Sequence, residues 1–85
     1  MRLVEASKFK KQRKKIKEIQ EKDALRTAIA RLMENPEDGK KLKGEFKDLR
    51  SFSYTMKGQS RRLIYRMEKD ALVLLSFGLR EGSYR

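Results

Sequence analysis

Residues 60–79 read SRRLIYRMEKDALVLLSFGL, and the reading of this stretch decides the fold. Between Arg62 and Met67 the residues alternate, with Arg62, Ile64 and Arg66 on one side and Leu63, Tyr65 and Met67 on the other. A period of two marks a strand, because successive strand side chains point to opposite faces of a sheet. Glu68-Lys69-Asp70 reads as a turn. Beyond it, Ala71–Leu79 is almost wholly apolar, the pattern of a central strand covered on both faces. The two strands make a hairpin, and pairing around this turn sets Arg62 opposite Phe77 or Ser76.

Further towards the N-terminus, Lys57-Gly58-Gln59 is a second turn. Leu49–Met56 is a third strand, with Arg50, Phe52, Tyr54 and Met56 on one face and Leu49, Ser51, Ser53 and Thr55 on the other. PEDGKKLKGEFK, residues 36–47, has two glycines and a cluster of lysines and reads as a loop pinned by Leu42 and Phe46. Before it, Leu25, Ala28, Ile29, Leu32 and Met33 recur at helical spacing, which predicts a helix from about Asp23. Asn35-Pro36 ends it, since proline disfavours helical backbone in the residue before it. An earlier helix is expected from Lys8, with Ser7 as its N-cap and Phe9, Ile16 and Ile19 as a thin apolar stripe. The break between the helices falls near residues 21–23. RLVE, at 2–5, is a short first strand. The sum is one α+β domain over residues 1–85: a helical hairpin packed on a small antiparallel sheet in the order β-α-α-β-β-β. The second face of the sheet is partly open and free to receive a ligand.

Composition narrows the chemistry. The 85 residues contain neither Cys nor His, which excludes disulfides and thiolate zinc sites and removes the commonest general acid/base at neutral pH. The formal net charge is +11, from 23 Lys and Arg against 12 Asp and Glu. That exceeds the magnitude of about 2–8 that keeps a small domain soluble, and it points to a polyanionic partner, nucleic acid first. No apolar run approaches the ~20 residues that cross a membrane, and the N-terminus lacks the apolar segment of a signal peptide. The chain is expected to be cytoplasmic, without a membrane partner.

The hairpins bring distant cations together. Arg62 and Arg80 approach along neighbouring strands, and the tail carrying Tyr84 can fold back over them. Arg50, Lys57 and the loop residues Lys41 and Lys43 flank the same surface, and Arg61 lies beside Arg62. RNA carries its own nucleophile, the 2′-hydroxyl. A protein that orients it and neutralises the extra charge on phosphorus needs no metal, and guanidiniums match phosphate oxygens in bidentate geometry. A phenol among cations can move the proton. DNA, lacking the 2′-hydroxyl, is not cut this way. The other conspicuous residues read more plainly. Tyr65 belongs to the core with Leu63 and Met67, Phe52 and Tyr54 are either a packing stripe or a platform for stacking RNA bases, the methionines are core filler, and the lysines of the first helix are a solvated basic face that also attracts rRNA or an acidic partner.

LKG (42–44), LRSFSY (49–54), SRRLIYR (60–66) and VLLSFGLREGSY (73–84) resemble the RelE/ParE superfamily of type II toxins, and within it the RelE branch. The resemblance covers nearly the whole chain, including its element order. It implies a ribosome-dependent endoribonuclease that cuts mRNA in the A site, without cofactor or metal, and a cognate, acidic antitoxin that neutralises it. It also implies roles: Arg62 contacts the scissile phosphate, Arg80 stabilises the transition state and Tyr84 is the acid/base. Lys41, Lys43, Arg50, Lys57 and Arg61 become RNA-binding residues. The sequence departs from the pattern at Phe52, where RelE has a second basic residue, with Lys57 its stand-in. It departs again in the four-residue step from Arg80 to Tyr84, and at Leu79, where other branches have a His near the Arg. Two alternatives stand beside this reading: a ParE-like toxin that binds DNA gyrase without cutting nucleic acid, and a non-catalytic RNA- or ribosome-binding protein.

Overall fold

A computed structural model describes residues 1–79. The chain begins with β1 (Arg2–Glu5), followed by helices α1 (Ser7–Lys14) and α2 (Ile19–Glu34). A 3-10 turn at Pro36–Asp38 leads to the short β2 (Lys40–Lys41), and a second at Gly44–Phe46 leads to β3 (Leu49–Met56). The strands β4 (Gln59–Glu68) and β5 (Ala71–Leu79) complete a five-stranded sheet in the order β1-β5-β4-β3-β2. The expected antiparallel meander is therefore β3-β4-β5. The sheet as a whole is mixed, because β1 lies parallel to β5, pairing Arg2 with Ala71 through Glu5 with Leu74. The helices return the chain to β3, two antiparallel reversals bring β5 into the same direction as β3, and β5 lies beside β1 in the parallel sense; the four residues of β1 carry no pattern that reveals it.

The helices differ from expectation at their junction. α1 starts one residue early, with Ala6 at the N-cap and no side-chain cap. α2 starts at Ile19, so the break falls at residues 15–18 and Ile19 is exposed. No Gly or Pro marks that break. Its anchor is Ile16, which leaves the helical path to enter the core. At the far end Asn35-Pro36 stops α2 as the sequence predicts.

Both helices pack on one face of the sheet. Phe9 of α1 meets Phe77 of β5 edge to face at a ring separation of 5.2 Å. Leu25, Ala28 and Leu32 of α2 join Phe52, Leu63, Tyr65, Leu72 and Leu74 in one buried cluster, with Ile29 and Met33 against it. Burial of this apolar surface is the main favourable term for so small a domain. The loop before β3 is fastened by a polar lock. The Tyr65 hydroxyl donates to the Pro36 carbonyl at 2.7 Å and accepts from the Gly39 amide at 2.9 Å. Gly39 is required here, since a Cβ would run into that ring and hydroxyl. Burial is the main reason the Tyr65 phenol is harder to ionise than usual.

Candidate functional site

Residues 61 and 62 are adjacent arginines on β4, so their side chains take opposite faces of the sheet. Arg61 faces the helices. Its guanidinium donates to Glu21 of α2 at 2.9 Å, in a pair whose side chains are only 14% and 20% exposed. Beside it, the Tyr54 hydroxyl is buried without a hydrogen-bond partner. Burial, opposed by the nearby Arg61 charge, pushes that phenol up to about 12.

Arg62 faces the side away from the helices, where Ile64, Val73 and Ser76 are buried. Its cross-strand neighbours there are Ser53 of β3 and Gly78 of β5. The next row is Ser51, Ile64 and Ser76, and Thr55 pairs with Ser60 on the other flank. The guanidinium thus has small and hydroxyl-bearing residues as its cross-strand neighbours, with nothing near a Cβ placed on Gly78. Three arginines lie on β4. Arg61 has Glu21, Arg66 has Glu68 at 2.9 Å, and Arg62 has no carboxylate among the described residues. Its Nε, like that of Arg61, is buried without a hydrogen bond to any described residue.

The neighbours of Arg62 are set by a defect in pairing. From the turn, Tyr65 pairs with Leu74, but Ile64 then pairs with Ser76, so Leu75 is an extra residue in β5. This bulge moves the partner of Arg62 from Phe77 to Gly78. It also returns Phe77 to the helix face, where Phe9 receives it. Beyond the bulge β1 no longer borders β5, and Gln12 of α1 takes the strand's place. Its side-chain amide donates to the Phe77 carbonyl at 2.9 Å and its oxygen accepts from the Phe77 amide at 3.1 Å. Neither Gln12 nor these serines stand out in the sequence. The alternation at 49–56, which sets Ser51, Ser53 and Thr55 opposite Phe52 and Tyr54, is the one signal that reaches them.

The other expected site residues are dispersed. Arg50 lies on the helix side of β3 and donates to the carbonyls of Glu37 and Gly39, at 3.2 and 2.9 Å, bracing the loop. Lys57 stands in the tight turn with a positive φ of 53° and pairs with Glu18. This pair holds the Glu18 carboxyl below its usual range, the hydrogen bond to Lys57 contributing most. Arg50, Lys57 and Arg61 thus serve the fold and are not brought to Arg62. Phe52 packs in the core with Arg31 over its ring at 5.6 Å. Lys41 and Lys43 are exposed on the loop. Arg80 and Tyr84 lie outside the described residues.

Over residues 3–85 the sequence matches the family of ParE-like toxins of type II bacterial toxin-antitoxin systems. The chain belongs to that family. The fold agrees with known toxin structures. The isolated E. coli RelE toxin superposes with a TM-score of 0.73 at 21% identity, covering 96% of this chain and 86% of that one. The intact E. coli RelBE toxin-antitoxin complex gives 0.72 at 20% identity, covering 94% and 96%. A copper-bound mutant toxin from Helicobacter pylori gives 0.64 at 18% identity, covering 99% of both chains. No curated protein matches by sequence. At these identities the likeness is one of fold, and this toxin's chemistry has to be argued from its own residues.

Proposed function

We propose that this ParE-like toxin is an endoribonuclease of the RelE kind, cutting mRNA in the ribosomal A site and so stopping translation. The observation that carries the reading is Arg62: an arginine without a carboxylate among the described residues, set between Ser53 and Gly78 on the face turned away from the helices. Such a site takes a phosphodiester. In the proposed step the 2′-oxygen bonds to phosphorus and the bond to the 5′-oxygen breaks, leaving a 2′,3′-cyclic phosphate and a 5′-hydroxyl. Arg62 binds the non-bridging oxygens, and Arg80 neutralises the charge that grows on them. Tyr84 takes the 2′ proton or supplies one to the leaving oxygen. Lys41 and Lys43 serve as exposed contacts to the RNA backbone. The ribosome supplies the ordered mRNA on which so small a site depends. As in the RelBE complex, the natural partner is a cognate antitoxin.

The test is a purified translation system in which the 5′ ends of mRNA fragments are mapped. Wild type is expected to leave cuts at the A-site codon, and Arg62→Ala, Arg80→Ala and Tyr84→Phe to leave mRNA intact while ribosomes are still bound. The family's ParE-like description supports a second reading, a gyrase-directed toxin. Uncut mRNA with wild type, together with inhibited supercoiling by purified gyrase, would establish that one instead.

A further inference from the structure

Phe9 and Gln12 lie three residues apart on one face of α1, and both of them hold Phe77. Phe9 takes the ring, edge to face at 5.2 Å. Gln12 takes the backbone, its side-chain nitrogen donating to the Phe77 carbonyl at 2.9 Å and its side-chain oxygen accepting from the Phe77 amide at 3.1 Å. Two hydrogen bonds to one residue are what a neighbouring strand would make there. The real neighbour, β1, stops pairing at Leu74, whose carbonyl accepts from the Ala6 amide. The grip of Gln12 thus falls beyond the bulge at Leu75 and one residue before Gly78, the cross-strand neighbour of Arg62. Register matters at this point, because a slip of one residue turns every following side chain to the other face of the sheet. Without the bulge, Phe77 would stand opposite Arg62 and its ring would leave Phe9.

Strand β5 runs to Leu79, the last described residue, and Arg80 follows it in the sequence. We propose that Gln12 is a positioning residue for Arg80. By holding the backbone of Phe77 it keeps β5 in the bulged register, which presents Gly78, and two residues on Arg80, to the face of Arg62. The proposal rests on the endoribonuclease reading, in which Arg62 and Arg80 act on one phosphate. Backbone pairing with β4 does not by itself choose between the bulged and the regular register, since main-chain hydrogen bonds are the same for every residue. Gln12 meets the strand after the extra residue, where the two registers differ, and it brings no charge to the substrate. Its effect therefore falls on the rate of the chemical step and not on RNA binding, since a misplacement of about 1 Å at a reacting centre costs on the order of 100-fold in rate.

The test is single-turnover cleavage of mRNA on programmed ribosomes, followed over a range of concentrations of the purified toxin. Gln12→Met keeps the length of the side chain and removes both hydrogen bonds. It should lower the maximal rate at least ~10-fold and move the half-saturating concentration less than ~3-fold. Gln12→Glu supplies the rescue. Its protonated acid donates to the carbonyl and accepts from the amide as the glutamine does, whereas its carboxylate can only accept. The carbonyl holds that carboxyl above its usual range, so the rate relative to wild type should rise at least ~3-fold from about pH 8 to about pH 6. Ala28→Gly weakens α2 rather than α1 and controls for lost stability. With every variant folded, it should cleave within ~2-fold of wild type. In hydrogen exchange the Phe77 amide should open at least ~10-fold more readily in Gln12→Met than in wild type. Wild-type cleavage by Gln12→Met, an equal loss in Ala28→Gly, a loss confined to the half-saturating concentration, a flat pH ratio for Gln12→Glu or unchanged exchange at Phe77 would overturn this proposal and leave the nuclease reading standing. Messenger left intact by the wild type would overturn both.

Discussion

Arg61 and Arg62 are consecutive, identical in chemistry and equally conspicuous in the sequence, yet they belong to different parts of the molecule. The helix-covered face uses its arginine as a strut. Arg61 reaches Glu21 across the helix–sheet junction, and nearby Lys57 reaches Glu18, so the start of α2 is tied to the β3–β4 hairpin at two points. The opposite face holds its arginine otherwise. Ser53 and Gly78 flank Arg62, which pairs with no carboxylate among the described residues, whereas Arg61 has Glu21. A strand's two-residue period separates a cation paired across the helix–sheet junction from the proposed phosphate-binding one by a single position, and what differs is the neighbouring elements each one faces. The sharpest way to break this contrast is to remove each arginine in turn. Arg62→Ala is expected to lower mRNA cleavage by ~100-fold or more, the loss seen when one charge-stabilising donor is removed. Its urea midpoint should stay within about 0.5 kcal/mol of wild type, as for a substitution that breaks no folded-state bond. A large stability loss here would mean that Arg62 too is structural.

Arg61→Ala should behave in the opposite way. It strands a carboxylate that is only 20% exposed, and we expect roughly 2 kcal/mol of destabilisation, less than for a fully buried pair because water still reaches both groups. The double variant Arg61→Met with Glu21→Leu should recover most of it, since no uncompensated charge remains. Urea unfolding of the single and double variants measures both. If cleavage fell as steeply in Arg61→Met/Glu21→Leu as in Arg62→Ala, the two faces would not be functionally distinct.

Most of the fold was legible because it rests on periodicity. The alternation at 62–67, the apolar run 71–79 and the helical stripe from Leu25 to Met33 each describe a face buried against a neighbour. Less was legible where structure depends on partners far away in sequence. β1 is too short to show its parallel pairing, and the helix break at 15–18 is set by Ile16 entering the core rather than by any breaker residue. For the site, face assignment worked and register did not. Alternation placed Arg62, Ile64 and Arg66 together, but the bulge at Leu75 carries no sequence mark, so Gly78 rather than Phe77 faces Arg62. Charge alone does not show partners within the fold. In this +11 chain Arg50 donates to backbone carbonyls, and Lys57 and Arg61 pair with Glu18 and Glu21, contacts that only the fold supplies.

Two tyrosines extend the comparison within the covered face. Tyr65 has both hydroxyl partners, Pro36 and Gly39, whereas the buried Tyr54 hydroxyl has none. Tyr65→Phe leaves a buried amide and a carbonyl unsatisfied and should cost about 1–3 kcal/mol. Tyr54→Phe removes an orphan and should lie within ~0.5 kcal/mol of wild type at pH 7, or be slightly stabilising. Denaturant midpoints for the two variants rank them directly, and equal losses would show that the Tyr54 hydroxyl has a partner after all.

The smallest effect appears only at high pH. Burial raises the Tyr54 phenol to about 12 in the fold, against about 10 in the unfolded chain. Between those values the folded state holds a proton that the unfolded state has released. The stability contributed by the neutral phenol is therefore complete below pH ~10 and is lost as pH rises towards ~12. Wild type should lose roughly 1 kcal/mol more than Tyr54→Phe between pH 9 and pH 11. Tyr65, also raised by burial, titrates in both proteins and cancels in the difference. Parallel stability curves for the two proteins would place the Tyr54 ring in water, and with it would go the tight helix–sheet junction that distinguishes the covered face from the open one.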